Sequence, residues 1–253
     1  MENSDPSCNR VLASLSPADA ALLSPWLKLV SLEQGALLAD IGDEIEHVYF
    51  PHSGMISLLS VTKSGRGVET AIIGREGVIG AMAGLGLHFT LSQAVAQVPL
   101  VAMRIAAAPF RNVVKGSDTL RDLIVRWSEV LIAQVQITAA CNALHPIGQR
   151  LARWILQTKD RTADDAIPLT QQRLSDVLGV QRSSISEVAG MLQALGLIHY
   201  SRGIIEILDR PGLEKAACEC YASINENAAR ILPAARTGIG TPYSGGPAST
   251  RAG

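Results

Sequence analysis

The sequence predicts an α+β chain: a small antiparallel sandwich or barrel, then a long apolar helix, then a compact helical domain closed by a β-hairpin. Three observations carry this reading. Short apolar runs between about Val30 and Ile105 are separated by turn residues roughly every 8–12 positions. A helical period of large apolar residues runs through 109–144. Two short amphipathic patterns meet at Gly179 and are followed by two β-rich runs. At 253 residues with 47% hydrophobic content, the chain can build one large or two small domains.

From the N-terminus, 10–28 (RVLASLSPADAALLSPWLK) reads as helix, with Ser16 capping and Pro17 at the first helical position. The runs HVYF, MISLLSV, ETAII, AVAQV and LVAMRI then read as strands between the turns IGD, HSG, KSGRG, GREG and QVP. Within them, Gly77–Met103 contains no Asp, Glu, Lys or Arg, which raises a membrane span. Gly77, Gly80, Gly84, Gly86 and Pro99 interrupt it, so short strands and turns in a core are expected, with no membrane partner. Residues 10–108 form the first domain of this reading.

In 109–144, Leu120, Leu123, Ile124, Trp127, Val130, Leu131 and Ile137 recur at helical spacing, and Val130–Leu144 carries no charge. A helix apolar around so much of its girth needs cover on several sides. A second copy of the same helix supplies it, which predicts a homodimer. The alternative cover is the chain's own barrel. His145-Pro146 breaks the helix, because the residue before proline avoids the helical region. Residues 145–213 form the last domain, opening with the basic helix IGQRLARWILQTKDR. Residues 233–253, rich in Gly, Pro, Ser, Thr and Ala, read as a disordered tail.

The chemistry lies in 169–207. Thr170 can cap a helix with Leu174, Val177 and Leu178 on one face, and Gly179 stops it. The next helix buries Ile185, Val188, Ala189 and Leu192 and presents Ser183, Ser186, Glu187 and Gly190. Two helices joined by a glycine turn form a helix-turn-helix, whose second helix enters the DNA major groove. Leu197–Tyr200 and Ile204–Ile207, around Ser201-Arg202-Gly203, make a wing, and Arg202 can reach a phosphate or the minor groove. Arg182 suits guanine, Glu187 the cytosine amino group, and Ser183 and Ser186 adaptable contacts. Gln171, Gln172, Gln181 and Ser184 are placed for phosphates. A winged domain that contacts protein instead of DNA is the competing reading.

Charge is no objection. The net charge of -1 and pI of about 6.5 exclude a chain that coats nucleic acid through bulk charge, but not local basic patches. Positive charge gathers at Arg150, Arg153, Lys159 and Arg161, and at Arg173, Arg182 and Arg202. Four cysteines (Cys8, Cys141, Cys218, Cys220) are too few for a disulfide scaffold. Cys218 and Cys220 are expected on one helix with thiols on different faces, packing as small hydrophobes. The histidines show no ligand spacing, so no metal and no cofactor are expected. MENSDPSCNR lacks a secretory pattern, which points to a reducing cytoplasm. Walker, G-x-S-x-G, dinucleotide and H-E-x-x-H motifs are all missing, and no enzymatic activity is expected.

Over roughly residues 10–221 the chain resembles the Crp/Fnr family of bacterial transcription regulators. The segment Leu169–Leu192, then GLI and a short wing, carries the likeness, with weaker support from Gly54 and Gly80 in the strand region. The resemblance implies a β-roll like the cyclic-nucleotide-binding fold, a dimerisation helix and a C-terminal winged helix-turn-helix. It also implies a pseudo-palindromic operator in double-stranded DNA, and RNA polymerase as a partner. Cyclic-nucleotide-binding members carry a Gly-Glu pair and an Arg-Ser pair. The equivalent stretches here read Gly80-Ala81-Met82 and Leu91-Ser92-Gln93-Ala94. Without the carboxylate and the arginine, cyclic AMP should not bind tightly. Only Cys8 lies near the N-terminus, where oxygen-sensing members hold several cluster ligands. Glu187 stands where the family often has arginine, so the preferred operator should differ.

Overall fold

The computed structural model describes residues 8–162 and 164–232; the tail expectation for 233–253 lies outside them. The chain opens with two short helices, α1 (Arg10–Ala13) and α2 (Pro17–Leu23), and a 3-10 turn at Ser24–Trp26. The single helix expected over 10–28 is therefore broken. Ser16 starts a fresh cap by accepting from the Asp19 amide, Pro25 stops α2, and Lys28 is already in a strand.

The strands are β1 (Lys28–Leu32), β2 (Leu37–Ala39), β3 (His47–Ser53), β4 (Ile56–Val61), β5 (Gly67–Ile73), β6 (Gln93–Ala96) and β7 (Leu100–Ala106). They pair antiparallel in two sheets, β1-β7-β3 and β2-β6-β4-β5. Val48, Phe50, Leu100 and Ile105 of one sheet and Ile56, Ile73, Ala94 and Ala96 of the other fill the shared core. This is the antiparallel β-roll. The uncharged Gly77–Met103 stretch supplies β6, most of β7 and a 3-10 turn at Ala81–Leu85, and forms no long helix.

The helical stretch expected over 109–144 is two helices, α3 (Ala107–Lys115) and α4 (Asp118–Leu144). Gly116 ends the first, and the Ser117 hydroxyl accepts from the Leu120 amide to cap the second. Leu120, Leu123, Ile124, Trp127 and Val130 bury one face of α4 in the roll's core. By length and composition α4 could cross a membrane, yet this face belongs to the protein's own interior. Gly77 makes the close fit: a Cβ there would run into the Trp127 ring, whose Nε1 donates to the Val78 carbonyl at 2.7 Å. The opposite face exposes Val125, Ile132 and Val135. The roll covers the first half of the helix and a later helix, Cys220–Ile231, packs against it further on, leaving an exposed apolar stripe flanked by Asp122, Arg126 and Glu129.

After Leu144, His145 is extended before Pro146, and α5 (Ile147–Lys159) begins the last unit. Then follow β8 (Ala166–Pro168), α6 (Gln171–Leu178), α7 (Arg182–Ala194), β9 (Ile198–Ser201), β10 (Ile204–Ile207), α8 (Arg210–Ala216) and α9 (Cys220–Ile231). The sheet is β8-β10-β9, with β8 an addition to the expected hairpin. Leu151, Trp154, Ile155, Leu174, Ile185, Leu192, Ile198, Ile205 and Leu213 form its core. That core is continuous with Met55, Ile72 and Val98 of the roll. The Trp154 indole donates to Glu69 Oε1 at 2.8 Å, Arg161 pairs with Glu76 at 2.7 Å, and the Gly54 amide donates to the Arg161 carbonyl at 2.9 Å. Asp160, Arg210 and Tyr221 close a triangle of hydrogen bonds that ties α8 and α9 to the end of α5.

Candidate nucleic-acid interface

The helix pair α6–α7 forms where its sequence dictates. Thr170 caps α6 by accepting from the Arg173 amide, and Leu174, Val177 and Leu178 are buried. Gly179 takes φ +66, a left-handed conformation that lets the chain turn without a Cβ penalty. On α7, Ile185, Ala189 and Leu192 are buried and Val188 is half-buried. Ser183, Ser186, Glu187 and Gly190 face outward. One amphipathic pattern therefore both docks the helix and sets which side chains remain free.

Arg182 is the first residue of α7 and is exposed. Gln181 precedes it as the cap residue and makes no side-chain cap bond. Gln171 is half-buried: its Oε1 accepts from Ser186 Oγ at 2.7 Å and from Arg182 Nε at 3.5 Å. It therefore braces α7 against α6. Gln172 is exposed, with its amide donating to Asp176 at 2.8 Å, and Ser184 is half-buried. Arg202 is exposed at the wing tip with φ +51, followed by Gly203 at φ +78. Two successive left-handed residues make the tight hairpin turn.

Thr170, Gln171, Gln172, Arg182, Tyr200, Arg202 and Gly203 line one open groove of about 540 Å³ between α6, α7 and the wing. Gln181, Ser183, Ser184, Ser186 and Glu187 lie outside that lining, on α7 and its cap. Thr170 and Tyr200 are additions to the set expected from sequence. Tyr200 OH donates to the Leu169 carbonyl at 3.0 Å, and its amide donates to Gln193 Oε1 at 2.7 Å, which fixes the wing on the helix pair. Its position in an aromatic-bearing strand beside Arg202 was the available signal.

The expected basic face of α5 is corrected. Arg150, Arg153 and Arg161 are buried. Arg150 donates to the Leu178 carbonyl at 2.6 Å, Arg153 to Gln157 at 2.7 Å, and Arg161 joins Glu76. Lys159 pairs with Asp165 at 2.6 Å. These cations hold the unit together, because α5 is enclosed on several sides and its arginines must find partners inside. Arg173 packs onto the Gly35 turn of the roll.

A winged helix-turn-helix beside an antiparallel roll, with a long helix between, defines a DNA-binding regulator. The cyclic nucleotide-binding domain family matches residues 29–117, and the Crp-like helix-turn-helix domain family matches residues 149–216. Together the two matches take in more than half of the chain. The chain carries both domains of a Crp/Fnr-type DNA-binding transcription regulator.

Solved structures share the fold. FixK2 from Bradyrhizobium japonicum is 14% identical with a TM-score of 0.64, covering 76% of this chain and 98% of that one. TTHA1359, a regulator from Thermus thermophilus, is 20% identical with a TM-score of 0.61, covering 75% and 98%. The c-di-GMP responsive global regulator CLP from Xanthomonas campestris is 14% identical with a TM-score of 0.60, covering 77% and 100%. A comparison with curated proteins finds no match.

Proposed function

We propose that the chain acts in the cytoplasm as a homodimer that reads a pseudo-palindromic operator, and that its signal is not cyclic AMP. The observation that carries the reading is the exposed row Arg182, Ser183, Ser186 and Glu187 on α7, opposite the buried Ile185, Ala189 and Leu192. In it Arg182 pairs with guanine, Glu187 accepts from cytosine, and Ser183 and Ser186 adapt. Gln171, Gln172, Gln181, Ser184 and Arg202 set the register on phosphates. Gln171 has its Oε1 engaged and offers its amide N–H groups. RNA polymerase is the further protein partner of this reading.

The case against cyclic AMP rests on charge. Gly80-Ala81-Met82 offers no carboxylate to a ribose, and Ser92-Gln93 offers no cation to a phosphate. Gln93 Nε2 instead donates to the Asp40 carboxylate at 3.1 Å, so the fixed charge nearby is negative. An anion buried there would be uncompensated. The fold is not tied to one nucleotide, since CLP is described as c-di-GMP responsive.

Genome-wide mapping of bound sites, followed by binding to the recovered fragments, tests the reading. Half-sites about one helical turn apart, ~34 Å, are expected. Affinity should lie on the order of 10⁻⁸–10⁻¹¹ M and fall steeply with salt. Binding indifferent to salt, or no shifted fragment at low salt, would favour a protein-contacting winged domain. Calorimetry with cyclic AMP should show no micromolar site.

A further inference from the structure

Four side chains that DNA recognition does not use meet at the joint between α4 and the last unit. Cys141 lies in the last turn of α4, and His145 is its C-cap residue one turn later. Cys218 lies in the turn between α8 and α9, and Cys220 starts α9. The Cys141 and Cys218 sulfurs are 3.5 Å apart, Cys220 Sγ is 3.5 Å from His145 Nδ1, and the four donor atoms lie within 4.8 Å of one another. The three cysteines are buried and free of disulfides, and His145 is partly exposed.

We propose that Cys141, His145, Cys218 and Cys220 form a tetrahedral site for one zinc-class divalent cation, which fastens α9 to the end of α4. Three thiolates and an imidazole are a borderline-soft donor set that zinc takes in closed structural sites. With metal–sulfur bonds of about 2.3 Å, a tetrahedron has sulfur–sulfur edges of about 3.8 Å. The Cys141–Cys218 separation lies slightly below that and the longest donor separation above it, so a small adjustment of both completes the shell. A multi-iron cluster would need its ligands set farther apart.

Two surrounding features fit the same occupant. His145 Nε2 is 3.1 Å from Glu219 Oε1, which leaves Nδ1 facing the thiols. A carboxylate on the far nitrogen is the usual way to orient a metal-bound imidazole. Loading releases three thiol protons and leaves the site with one net negative charge, inside the protein. Arg150 and Arg153 supply the balance: both are buried, and among the described residues their Nε atoms lack a hydrogen-bond partner. The charges of both act on Cys141 and Cys218. Arg150 also donates to the last carbonyl of α6. The site therefore bears on the α4–α5 joint and on the helix-turn-helix together.

The test uses the full-length chain, purified under reducing conditions from zinc-supplemented cells. Elemental analysis should find close to one zinc per chain. Cobalt loaded into the apo-protein should show the ligand-field and thiolate charge-transfer bands of a tetrahedral site. Cys218→Ser and Cys220→Ser should each lower metal retention by at least about tenfold, and His145→Ala should shift the cobalt bands. Glu219→Gln should weaken retention while leaving the band positions alone. If Cys141→Ser fails to fold, the cobalt spectrum of the unaltered chain still decides. Several outcomes overturn the proposal: no stoichiometric zinc or cobalt, undiminished retention in the Cys218→Ser/Cys220→Ser double variant, an iron–sulfur chromophore, or a Cys141–Cys218 disulfide as the only chemistry found.

Discussion

At the scale of single residues, the informative group is Glu69. It is buried where β5 meets α5, accepting from the Ser57 hydroxyl and from the Trp154 indole. Burial pushes its carboxyl up from 4.5 to about 7, against the lowering influence of Ser57, Arg153, Trp154 and Arg161. A folded-state value above the unfolded one favours folding at low pH. That stability is complete below pH 4.5 and is lost as pH rises to about 7. The swing is about 3 kcal/mol. Glu69→Gln keeps an acceptor for Trp154 and cannot ionise. Its urea midpoint should be flatter than the parent's between pH 5 and pH 8; equal slopes would sink the idea. On α7, Arg182→Ala should cost ~1–3 kcal/mol of operator affinity and relax discrimination at one base pair, read by competition with single-base operator variants.

At the scale of elements, close approach decides more than propensity. Gly77→Ala would drive a methyl into the buried Trp127 ring and unseat α4 from the roll. A loss of roughly 1–3 kcal/mol is expected in thermal unfolding. Gly190→Ala is the contrast: nothing lies within 4 Å of the added Cβ. On an exposed helix position it should stabilise by ~0.5–1 kcal/mol. The α6–α7 pair was legible because its apolar spacing, Thr170 cap and Gly179 stop all point one way. The role of the α5 arginines was not, since charge in a sequence says nothing about enclosure by later elements. The cysteine cluster was hidden for a similar reason. Its two halves are 77 positions apart, and Cys218 and Cys220 do not share a helix. A turn between α8 and α9 brings together thiols that one helix would have splayed.

At the scale of the whole molecule, the proposed homodimer requires the outward side of α4 to bring two recognition helices together. Its 27 residues extend about 40 Å. Val125, Ile132 and Val135 are 50%, 49% and 39% exposed, with Ala139 continuing the stripe. Steps of seven, three and four form the seam along which two helices pack with two-fold symmetry. The other faces are already taken by the roll and by α9, so in this reading a partner reaches α4 from this side. Ile132→Glu puts a carboxylate at the middle of the seam, where each copy meets its own charge across the axis. The variant should keep its far-ultraviolet dichroism, because the position is exposed in the single chain, but run as a monomer in light scattering. Each half-site would then be bound alone, and operator affinity should fall ~10²–10⁴-fold with the loss of the linked second contact. Leu91→Glu, on an exposed loop of the roll, should change neither measurement. A dimer that survives Ile132→Glu would place the two-fold elsewhere. A monomeric parent with full operator affinity would remove the need for it.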